Sequence, residues 1–392
     1  MTQANVADWR EAARDRLPRI LFDYIDGAAF SETTAATNVA DFDLWQLEQR
    51  VLTGLTPRDL GVTLFGKRRS LPMILGPVGF SGLFAPHGEV LAARAAHAAG
   101  MPFCLSNFGI VTLEELRSET DGDLWFQLYL IRERELMERF ITRAERASVE
   151  ALCVTVDCAV GGVRERDIRS GFRTIRRLTP RLALAVMGRP RWCFDLLRAG
   201  IPRIGHVSDW PGFEGGVLDQ AANLGGLVDP GVSWEDVKRL RDRWPRKLII
   251  KGILHREDAE MAAAVGADGL IVSNHGGREL DGAPSSISAL PEIVAAVGHK
   301  IEVLMDGGVR RGTHVVKALA LGARGVLLGR AYAYGLAAAG ERGVSSVIDM
   351  LATEIDVTLS LMGVTRAAEL ATRREQLIRY RPAASASSGE VR

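Results

Sequence analysis

Short apolar runs that alternate with amphipathic, alanine-rich stretches make up most of the chain. An apolar run bounded by glycine or proline is typical of a strand buried on both faces, as in a parallel sheet. Eight such runs occur, at residues 72–79, 102–107, 124–129, 151–157, 247–253, 269–276, 302–308 and 325–330. Amphipathic stretches such as 88–100, 256–266 and 312–322 lie between several of them. Strands that alternate with helices predict βαβ units and a parallel sheet.

The number of units favours one arrangement of that sheet. Eight strand–helix units predict a closed (β/α)8 barrel, the TIM barrel of the α/β class. An open doubly wound sheet fits less well, because no G-x-G-x-x-G fingerprint follows the first strand. The segment before residue 72 is expected to be helical and to cover the barrel as an N-terminal cap. We expect residues 1–381 to form one domain with a long insertion after the fourth strand, at about 170–232, and residues 382–392 to form a disordered tail.

Composition narrows the class of protein without identifying its chemistry. The net charge of +1 gives no reason to expect a nucleic-acid partner. Cys104, Cys153, Cys158 and Cys193 lack metal-ligand spacing, and the first three lie in or beside apolar runs, where a thiol acts as a small hydrophobe. No metal site is therefore expected. The chain shows no apolar signal-peptide core and no run of membrane-spanning length, which favours a cytoplasmic location.

Residues suited to ligand binding follow each of the eight predicted strands. In such barrels the active site is built from the loops at the carboxyl ends of the strands. Taken singly, Lys251 has a structural explanation as a surface lysine and Asp157 as a helix cap, but the joint placement favours one common site. In chain order the residues are Pro77, Val78, Gly79, Ser106, Gln127, Tyr129, Thr155, Asp157, Arg164, Lys251, Ser273, His275, Arg278, Asp306, Gly307, Gly308, Arg310, Gly329 and Arg330.

The loop after the sixth strand carries the most informative chemistry. His275 and Arg278 stand three residues apart beside the glycine pair Gly276–Gly277, so one loop offers a potential base and a fixed cation. A glycine pair allows positive φ angles and close approach of the backbone to a planar ligand. The simpler alternative is that Arg278 pairs with Asp281 on the surface and His275 merely ends a strand.

The loops after the seventh and eighth strands predict a phosphate site. In such barrels these loops commonly bind phosphate through backbone N–H groups. Gly308 and Gly329 can offer those N–H groups, while Arg310 or Arg330 supplies charge. Lysine, serine, glutamine and threonine on the other strands would suit the polar edge of a flavin.

Several motifs together resemble the FMN-dependent enzymes that oxidise 2-hydroxy acids, a family that includes glycolate oxidase and the bacterial L-lactate and (S)-mandelate dehydrogenases. The resemblance runs from about residue 8 to residue 381 and is closest to (S)-mandelate dehydrogenase. It rests on Ser-Asn-His-Gly-Gly-Arg-x-Leu-Asp at 273–281, Asp-Gly-Gly-x-Arg-Arg-Gly at 306–312, Phe-Asp-Tyr-Ile-Asp-Gly-Ala at 22–28 and Trp-Phe-Gln-Leu-Tyr at 125–129.

The resemblance implies a role for each residue, with FMN as the cofactor. Tyr24, Arg164 and Arg278 would hold the substrate carboxylate, and Tyr129 would bond the substrate hydroxyl. His275 would accept a proton while Asp157 stabilises the imidazolium. Lys251 would stabilise negative charge on the reduced flavin. The flavin would also be lined by Gly79, Ser106, Gln127, Thr155, Ser273 and, on the ribityl side, Asp306.

Two pocket positions bear on the substrate, and a third on the electron acceptor. Phe108 and Gly161 stand where glycolate oxidase has bulkier residues, so a mandelate-like acid is expected, with L-lactate as the next choice. Gly79 replaces an alanine common in oxidases of the family. This glycine favours a dehydrogenase that passes electrons to a quinone or other acceptor over an oxygen-using oxidase that makes hydrogen peroxide.

Residues 169–203 hold nine arginines, one acid and interleaved apolar residues. This pattern suits contact with the anionic inner face of the cell membrane. A mobile lid or a subunit contact is the alternative. The resemblance also implies a homotetramer.

Three other readings of the site remain open from the sequence. They are a non-redox FMN barrel isomerase, a flavin-binding protein without catalysis and a phosphate-sugar barrel without flavin.

Overall fold

Each of the eight apolar runs forms a strand, and the strands close into a parallel barrel. The structure is a computed structural model that describes residues 2–54, 57–172, 180–200 and 202–382. Numbered in chain order, barrel strands 1 to 8 are Met73–Leu75, Phe103–Ser106, Leu124–Tyr129, Ala151–Thr155, Lys247–Ile253, Gly269–Val272, Glu302–Met305 and Val326–Leu328. Strand 8 pairs with strand 1, with Val326 opposite Met73, and this pairing completes the circle. The predicted (β/α)8 barrel is confirmed.

Apolar side chains occupy both faces of the barrel wall. Strands 1, 2, 4, 6 and 8 are buried at every position, which explains why these runs show no polar alternation in the sequence. Trp125 on strand 3 and Trp244 before strand 5 are among the largest fully buried side chains. The core therefore continues from the barrel interior into the layer between the wall and the helices.

Helices surround the barrel and mostly alternate with its strands. They are α1 (Val6–Arg16), α2 (Arg19–Asp26), α3 (Thr33–Ala40), α4 (Gly88–Ala98), α5 (Leu113–Glu119), α6 (Arg134–Arg146), α7 (Glu165–Ser170), α8 (Pro180–Met187), α9 (Pro190–Ala199), α10 (Val217–Asn223), α11 (Trp234–Arg243), α12 (Arg256–Ala264), α13 (Ser286–Val297), α14 (Gly312–Ala320), α15 (Arg330–Met362) and α16 (Arg374–Leu377). The backbone departs from helical geometry within α15, at Ala339 and Gly340.

The N-terminal segment is helical only in its first part. The prediction of a helical segment up to residue 72 holds for α1 to α3, but it is wrong for the described residues between 45 and 69. There a short strand, Trp45–Leu47, pairs with Ile378–Tyr380, and Val62–Leu64 forms a hairpin with Lys67–Arg69. The first strand of the hairpin alternates buried and exposed residues, and Gly66 lies in the turn with a φ of +83°.

The two parts of the N-terminal segment cover opposite ends of the barrel. The backbone N–H of Phe65, in the hairpin, donates to Glu302 at the amino end of strand 7 (2.8 Å). Helices α2 and α3 lie at the other end, because Arg278 donates to the carbonyl of Tyr24 and Gly308 lies against the backbone of Asn38. The N-terminal segment therefore closes one end of the barrel and forms part of the wall at the ligand-binding end.

The segment between strand 4 and α11 contains helices α7 to α10. Trp192 fixes α9 to the barrel by donating from Nε1 to the carbonyl of Leu83 (2.8 Å), and Asp195 pairs with Arg16 of α1. Val228 bridges to Ile131, so the chain returns to the carboxyl end of strand 3.

Parts of two predictions lie outside the described residues. These parts are residues 173–179 and 201 of the arginine-rich segment and the tail from residue 383 onward. None of the described helices combines the length and the apolar composition needed to cross a membrane.

Candidate active site

The predicted site residues converge on one cavity of about 390 Å³ at the carboxyl ends of the barrel strands. Only Asp157 and Ser273 are not among the lining residues, and both hydrogen-bond to residues that are. The lining residues that were predicted are Tyr24, Pro77, Val78, Gly79, Ser106, Phe108, Gln127, Tyr129, Thr155, Gly161, Arg164, Lys251, His275, Arg278, Asp306, Gly307, Gly308, Arg310, Gly329 and Arg330.

His275 and Asp157 form a hydrogen-bonded pair at the wall of this cavity. Nδ1 of His275 lies 2.9 Å from Oδ1 of Asp157, and the His275 backbone N–H donates to Oγ of Ser273 (3.1 Å). His275 has a φ of +58°, a conformation that is uncommon outside glycine and that turns its ring back toward strand 4. No described residue bonds its other ring nitrogen, Nε2. A carboxylate on Nδ1 fixes the tautomer in which Nε2 is free to accept a proton.

The charge on Asp157 is held by its neighbours. Burial alone would raise the pKa of this carboxyl, but His275 and Lys251 outweigh burial and lower the pKa to about 2. Asp157 therefore stays ionised and can stabilise an imidazolium on His275.

Lys251 is a buried cation in the middle of the site. Its Nζ donates to Oγ of Ser273 (3.0 Å) and lies 3.2 Å from Oδ2 of Asp306. Burial alone would lower the pKa of Lys251, but Asp306 and Asp157 raise it above its usual value. The side chain is only 4 % exposed, so it is a permanent positive charge at the cavity wall and not the surface lysine of the alternative interpretation.

Two guanidinium groups stand beside the histidine. Nη1 of Arg278 donates to the carbonyls of Tyr24 and Gly27 (2.8 Å each), and its Cζ lies 4.9 Å from the centre of the Tyr24 ring. Arg164 lies 3.6 Å from Glu279, and its buried Nε has no hydrogen-bond partner in the described structure. The pairing of Arg278 with Asp281, the simpler interpretation of the sequence, is absent. Asp281 instead accepts from the backbone of Ser31 and Thr34.

Three buried polar atoms at the floor of the cavity lack a partner among the described residues. They are Nε2 of Gln127, Oγ1 of Thr155 and Oδ1 of Asp306. Ser106 donates to Oε1 of Gln127 (3.0 Å), which fixes the orientation of that amide. Buried polar groups are normally hydrogen-bonded, so unpaired atoms along a cavity floor indicate a ligand with matching donors and acceptors. The polar edge of an isoalloxazine ring fits this requirement.

At the expected phosphate end, Gly308 leaves room for a backbone donor but not for a side chain. A Cβ on Gly308 would lie 1.8 Å from the carbonyl oxygen of Asn38, so only glycine fits there. Gly329 directly precedes α15, and N–H groups at the start of a helix attract anions.

The two arginines at this end differ in their partners. Arg330 donates to the carbonyls of Ile25, Gly27 and Gly276, and burial chiefly lowers its pKa to about 10. In the described structure the side chain of Arg310 donates only to the carbonyl of its neighbour Val309 (2.8 Å). Arg330 therefore fixes α2 to the loop after strand 6. Arg310 has fewer protein partners than Arg330, so it is the better placed of the two cations to bind a phosphate.

Phe108 and Gly161 line the same cavity as His275. The ring of Phe108 stacks on that of Tyr129 with centroids 5.0 Å apart. A Cβ on Gly161 would meet no atom within 4 Å, so open space lies beside it. Burial raises the pKa of Tyr129 well above its usual value, so its hydroxyl stays protonated.

The sequence analysis missed several of the residues that line the cavity, among them three groups close to the predicted site residues. Glu279 faces Arg164, Cys158 lies 3.4 Å from Nδ1 of His275, and the insertion contributes Leu224, Val228 and Pro230. Cys158 was interpreted as a core residue, whereas it lines the cavity. Its position directly after Asp157 was the one available signal. The insertion residues gave none, because their approach to the site depends on how the segment folds back.

The chain matches the FMN-dependent dehydrogenase family over residues 13–377. It is 47 % identical over 371 residues to an L-lactate dehydrogenase of Caulobacter vibrioides, which covers 94 % of this chain and 97 % of the relative. The solved structure of the monotopic membrane protein (S)-mandelate dehydrogenase superposes with a TM-score of 0.91 at 39 % identity, covering 97 % of this chain and 100 % of that one. A mandelate oxidase with benzoyl-formic acid gives a TM-score of 0.80 at 35 % identity, with the same coverage.

Proposed function

This chain belongs to the FMN-dependent dehydrogenase family, and we propose that its substrate is an (S)-2-hydroxy acid with a large side chain, such as mandelate. The family assignment establishes FMN as the cofactor and oxidation of a 2-hydroxy acid as the reaction class, which rules out the non-redox and flavin-free barrels. When bound, FMN supplies the acceptor for the two electrons. The observation that carries the proposal is the His275–Asp157 pair (2.9 Å) in the same cavity as two guanidinium groups.

The two guanidinium groups are assigned to the substrate carboxylate. A guanidinium fork can meet a carboxylate with two parallel hydrogen bonds, and it keeps its charge even when buried. The backbone carbonyls of Tyr24 and Gly27 hold one side of Arg278, which presets its orientation. Arg164 has Glu279 on one side and an unpaired Nε on another. A carboxylate held by this pair places the carbon that bears the hydroxyl near His275.

His275 is assigned as the base that accepts a proton from the substrate. Its Nε2 accepts the proton, and the ionised Asp157 on Nδ1 stabilises the positive charge that results. Tyr129, protonated and stacked on Phe108, donates to the substrate oxygen. Tyr24 completes the carboxylate site beside Arg278.

The cofactor is assigned to the opposite side of the cavity. Ser106, Gln127 and Thr155 would hold the polar edge of the ring, with Lys251 providing a positive charge beside it and Ser273 fixing Lys251. Pro77, Val78 and Gly79 would give a flat backbone surface against the ring. Asp306 would meet the ribityl chain, and Gly307, Gly308, Arg310, Gly329 and Arg330 would surround the phosphate.

Replacing the base tests this assignment. His275→Gln is expected to remain yellow with bound FMN but to lose flavin reduction by substrate by many orders of magnitude. The matched control is His299→Gln, at an exposed histidine that follows α13, and this variant should behave as wild type. Anaerobic mixing with (S)-mandelate, followed by the flavin absorbance, measures the rate. Near-normal reduction in His275→Gln would refute the role of His275 as the base.

The open space beside Gly161 supports a large substrate side chain. A phenyl ring could occupy this space and contact Phe108, whereas the methyl group of lactate would leave it unfilled. Apolar contact area then favours mandelate by a few kcal/mol at most, since burial contributes about 25 cal/mol per Å². Comparing kcat/KM for (S)-mandelate and L-lactate tests the proposal. A preference for lactate or glycolate would contradict it.

We further propose that electrons leave to a quinone or a similar carrier and not to oxygen. Gly79 supports this proposal, because oxidases of the family tend to carry alanine at this position, where a Cβ would lie 3.3 Å from the Tyr24 hydroxyl. The reduced enzyme is expected to stay bleached for minutes in air and to be reoxidised within seconds by a soluble quinone. Rapid reoxidation by air, with hydrogen peroxide as product, would make the protein an oxidase.

Helices α8 and α9 are proposed to contact an anionic membrane surface. Leu184, Met187, Phe194 and Leu197 are exposed to 60–81 %, and Arg191 and Arg198 are exposed near them. Large exposed apolar side chains among cations suit a lipid interface. Trp192 and Asp195 fix α9 to the barrel, which argues against a freely moving lid.

Vesicle binding tests the membrane proposal. Serine at Leu184, Phe194 and Leu197 should abolish cosedimentation with vesicles that contain anionic lipid. Serine at Val51 and Leu52, which are equally exposed but distant in sequence, should leave binding unchanged. Equal binding by both variants would contradict the proposal. The family resemblance also suggests a homotetramer of the 42.6 kDa chain, which light scattering measures directly.

A further inference from the structure

We propose that Cys158, His275 and Asp157 form an inhibitory site for a thiophilic divalent cation, Zn²⁺ in particular. The proposal goes beyond the oxidation of hydroxy acids and rests on the assignment of His275 as its base. The potential ligand atoms of the three residues all lie within 4.8 Å of one another. The sequence gave no sign of this cluster, because His275 stands 117 residues from Cys158.

The distances among the three atoms are close to those around a zinc ion. Sγ of Cys158 lies 3.4 Å from Nδ1 of His275 and 3.3 Å from Oδ1 of Asp157, and Nδ1 and Oδ1 are 2.9 Å apart. Tetrahedral zinc with bonds of about 2.0–2.3 Å separates its ligand atoms by about 3.3–3.6 Å. The triangle therefore has to widen by no more than about half an ångström, which small side-chain rotations can supply.

The fourth coordination position is open to the cavity. Cys158 and His275 both line the cavity, so an ion that enters from solvent can reach them. Three protein ligands with an open fourth position are the usual arrangement of accessible zinc sites. The second oxygen of Asp157, Oδ2, is buried and has no hydrogen-bond partner in the described structure, so it can also turn toward an ion.

Charges around the triangle decide which ions it accepts. Thiolate and carboxylate together supply two negative charges, while Lys251 is already paired with Asp306 at 3.2 Å. Zinc binding releases the thiol proton of Cys158 to solvent, while the ring proton of His275 moves from Nδ1 to Nε2 so that the neutral imidazole binds the metal through Nδ1. A sulfur ligand favours Zn²⁺ or Cd²⁺ over Mg²⁺ or Ca²⁺, which prefer oxygen.

A Zn²⁺ ion bound to Cys158, His275 and Asp157 would block the transfer of the substrate proton to His275. A histidine with Zn²⁺ on Nδ1 cannot form the imidazolium without losing the metal, and Asp157 is no longer available to stabilise it. Arg164, Arg278 and the cofactor side of the cavity are untouched by the ion. Zn²⁺ should therefore slow flavin reduction without releasing FMN.

The test uses the purified holoenzyme in a buffer that does not chelate metals. Turnover by the wild type should be inhibited by micromolar ZnCl₂, should recover fully with EDTA and should be unaffected by millimolar MgCl₂. Cys158→Ala should need at least tenfold more ZnCl₂ to halve its own metal-free rate of turnover, whatever that rate is. Cys193→Ala removes the other half-buried thiol, which bonds the carbonyl of Val186 outside the cavity, and should match wild type. Equal sensitivity of wild type and Cys158→Ala would overturn the proposal.

Calorimetry separates this proposal from the proposed function. Titration of the holoenzyme with ZnCl₂ should show one site per chain that Cys158→Ala loses and Cys158→Ser weakens. This result would support the metal site even if no hydroxy acid were turned over. Turnover of a hydroxy acid, combined with no calorimetric site in wild type, would leave the proposed function standing and refute the metal site.

Discussion

Asp157→Asn isolates the electrostatic contribution of the pair that defines the active site. The substitution keeps the size of the side chain and one hydrogen-bonding oxygen, but it removes the negative charge beside His275. In the wild type, Nδ1 of His275 lies 2.9 Å from Oδ1 of Asp157. The variant should therefore bind FMN and substrate but stabilise the imidazolium poorly.

The size of the effect follows from that distance. Two unit charges 2.9 Å apart interact by about 6 kcal/mol at an effective dielectric constant of about 20. This value is an upper limit of about 10⁴ in rate, because the amide oxygen still accepts a hydrogen bond. An opposite charge in contact usually shifts a pKa by about 1–3, which corresponds to about 1.4–4 kcal/mol. We expect flavin reduction to slow by about 10- to 10³-fold.

Anaerobic stopped-flow mixing with (S)-mandelate measures the reduction rate over a range of substrate concentrations. The limiting rate should fall, while the concentration that gives half of that rate should change less than threefold, since Arg164 and Arg278 are intact. Asp209→Asn, at an exposed aspartate that pairs with Arg139, is the matched control and should match wild type. A limiting rate within threefold of wild type would refute the role given to Asp157.

Three further substitutions test other parts of the account. Gly161→Phe should fill the open space beside the site and lower kcat/KM for (S)-mandelate at least tenfold while leaving L-lactate nearly unchanged; an equal loss for both acids would contradict the pocket assignment. Arg278→Lys should lower kcat/KM by about 10²-fold, mostly through KM, because an ammonium cannot meet a carboxylate with a planar fork; an unchanged KM would contradict the clamp. Asp26→Asn should lower the free energy of unfolding at pH 7 by about 2 kcal/mol, measured with guanidinium. Although burial opposes it, the bonds to Arg10 and Tyr334 lower the pKa of Asp26 to about 2, so this stabilisation is complete above about pH 4 and disappears as pH falls toward 2. A difference that grows at low pH would refute that reasoning.

The architecture was largely predictable because the burial of a barrel strand is visible in the sequence as an uninterrupted apolar run. A barrel wall with core on both sides requires uninterrupted apolar runs, and all eight runs are strands. The hairpin at residues 62–69 was missed because its strands are three residues long, too short to show a period.

Convergence of the site followed from topology, since the carboxyl ends of parallel strands meet at one rim. Contacts that depend on the rotamers of individual side chains could not be predicted from the sequence. Nothing in the chain separates Arg330, which bonds three carbonyl groups, from Arg310, which bonds one. Likewise, the approach of Cys158 to His275 depends on the positive φ of that histidine, which the sequence does not encode in a recognisable motif.

The proposed oxidation of a 2-hydroxy acid by bound FMN is best tested by the visible spectrum of the purified protein. The spectrum is recorded under anaerobic conditions before and after addition of (S)-mandelate and then of L-lactate. We expect flavin bands that bleach with a 2-hydroxy acid, faster with mandelate, and that stay bleached when air is admitted. A yellow protein that no 2-hydroxy acid bleaches, or a colourless one that does not take up FMN, would contradict it.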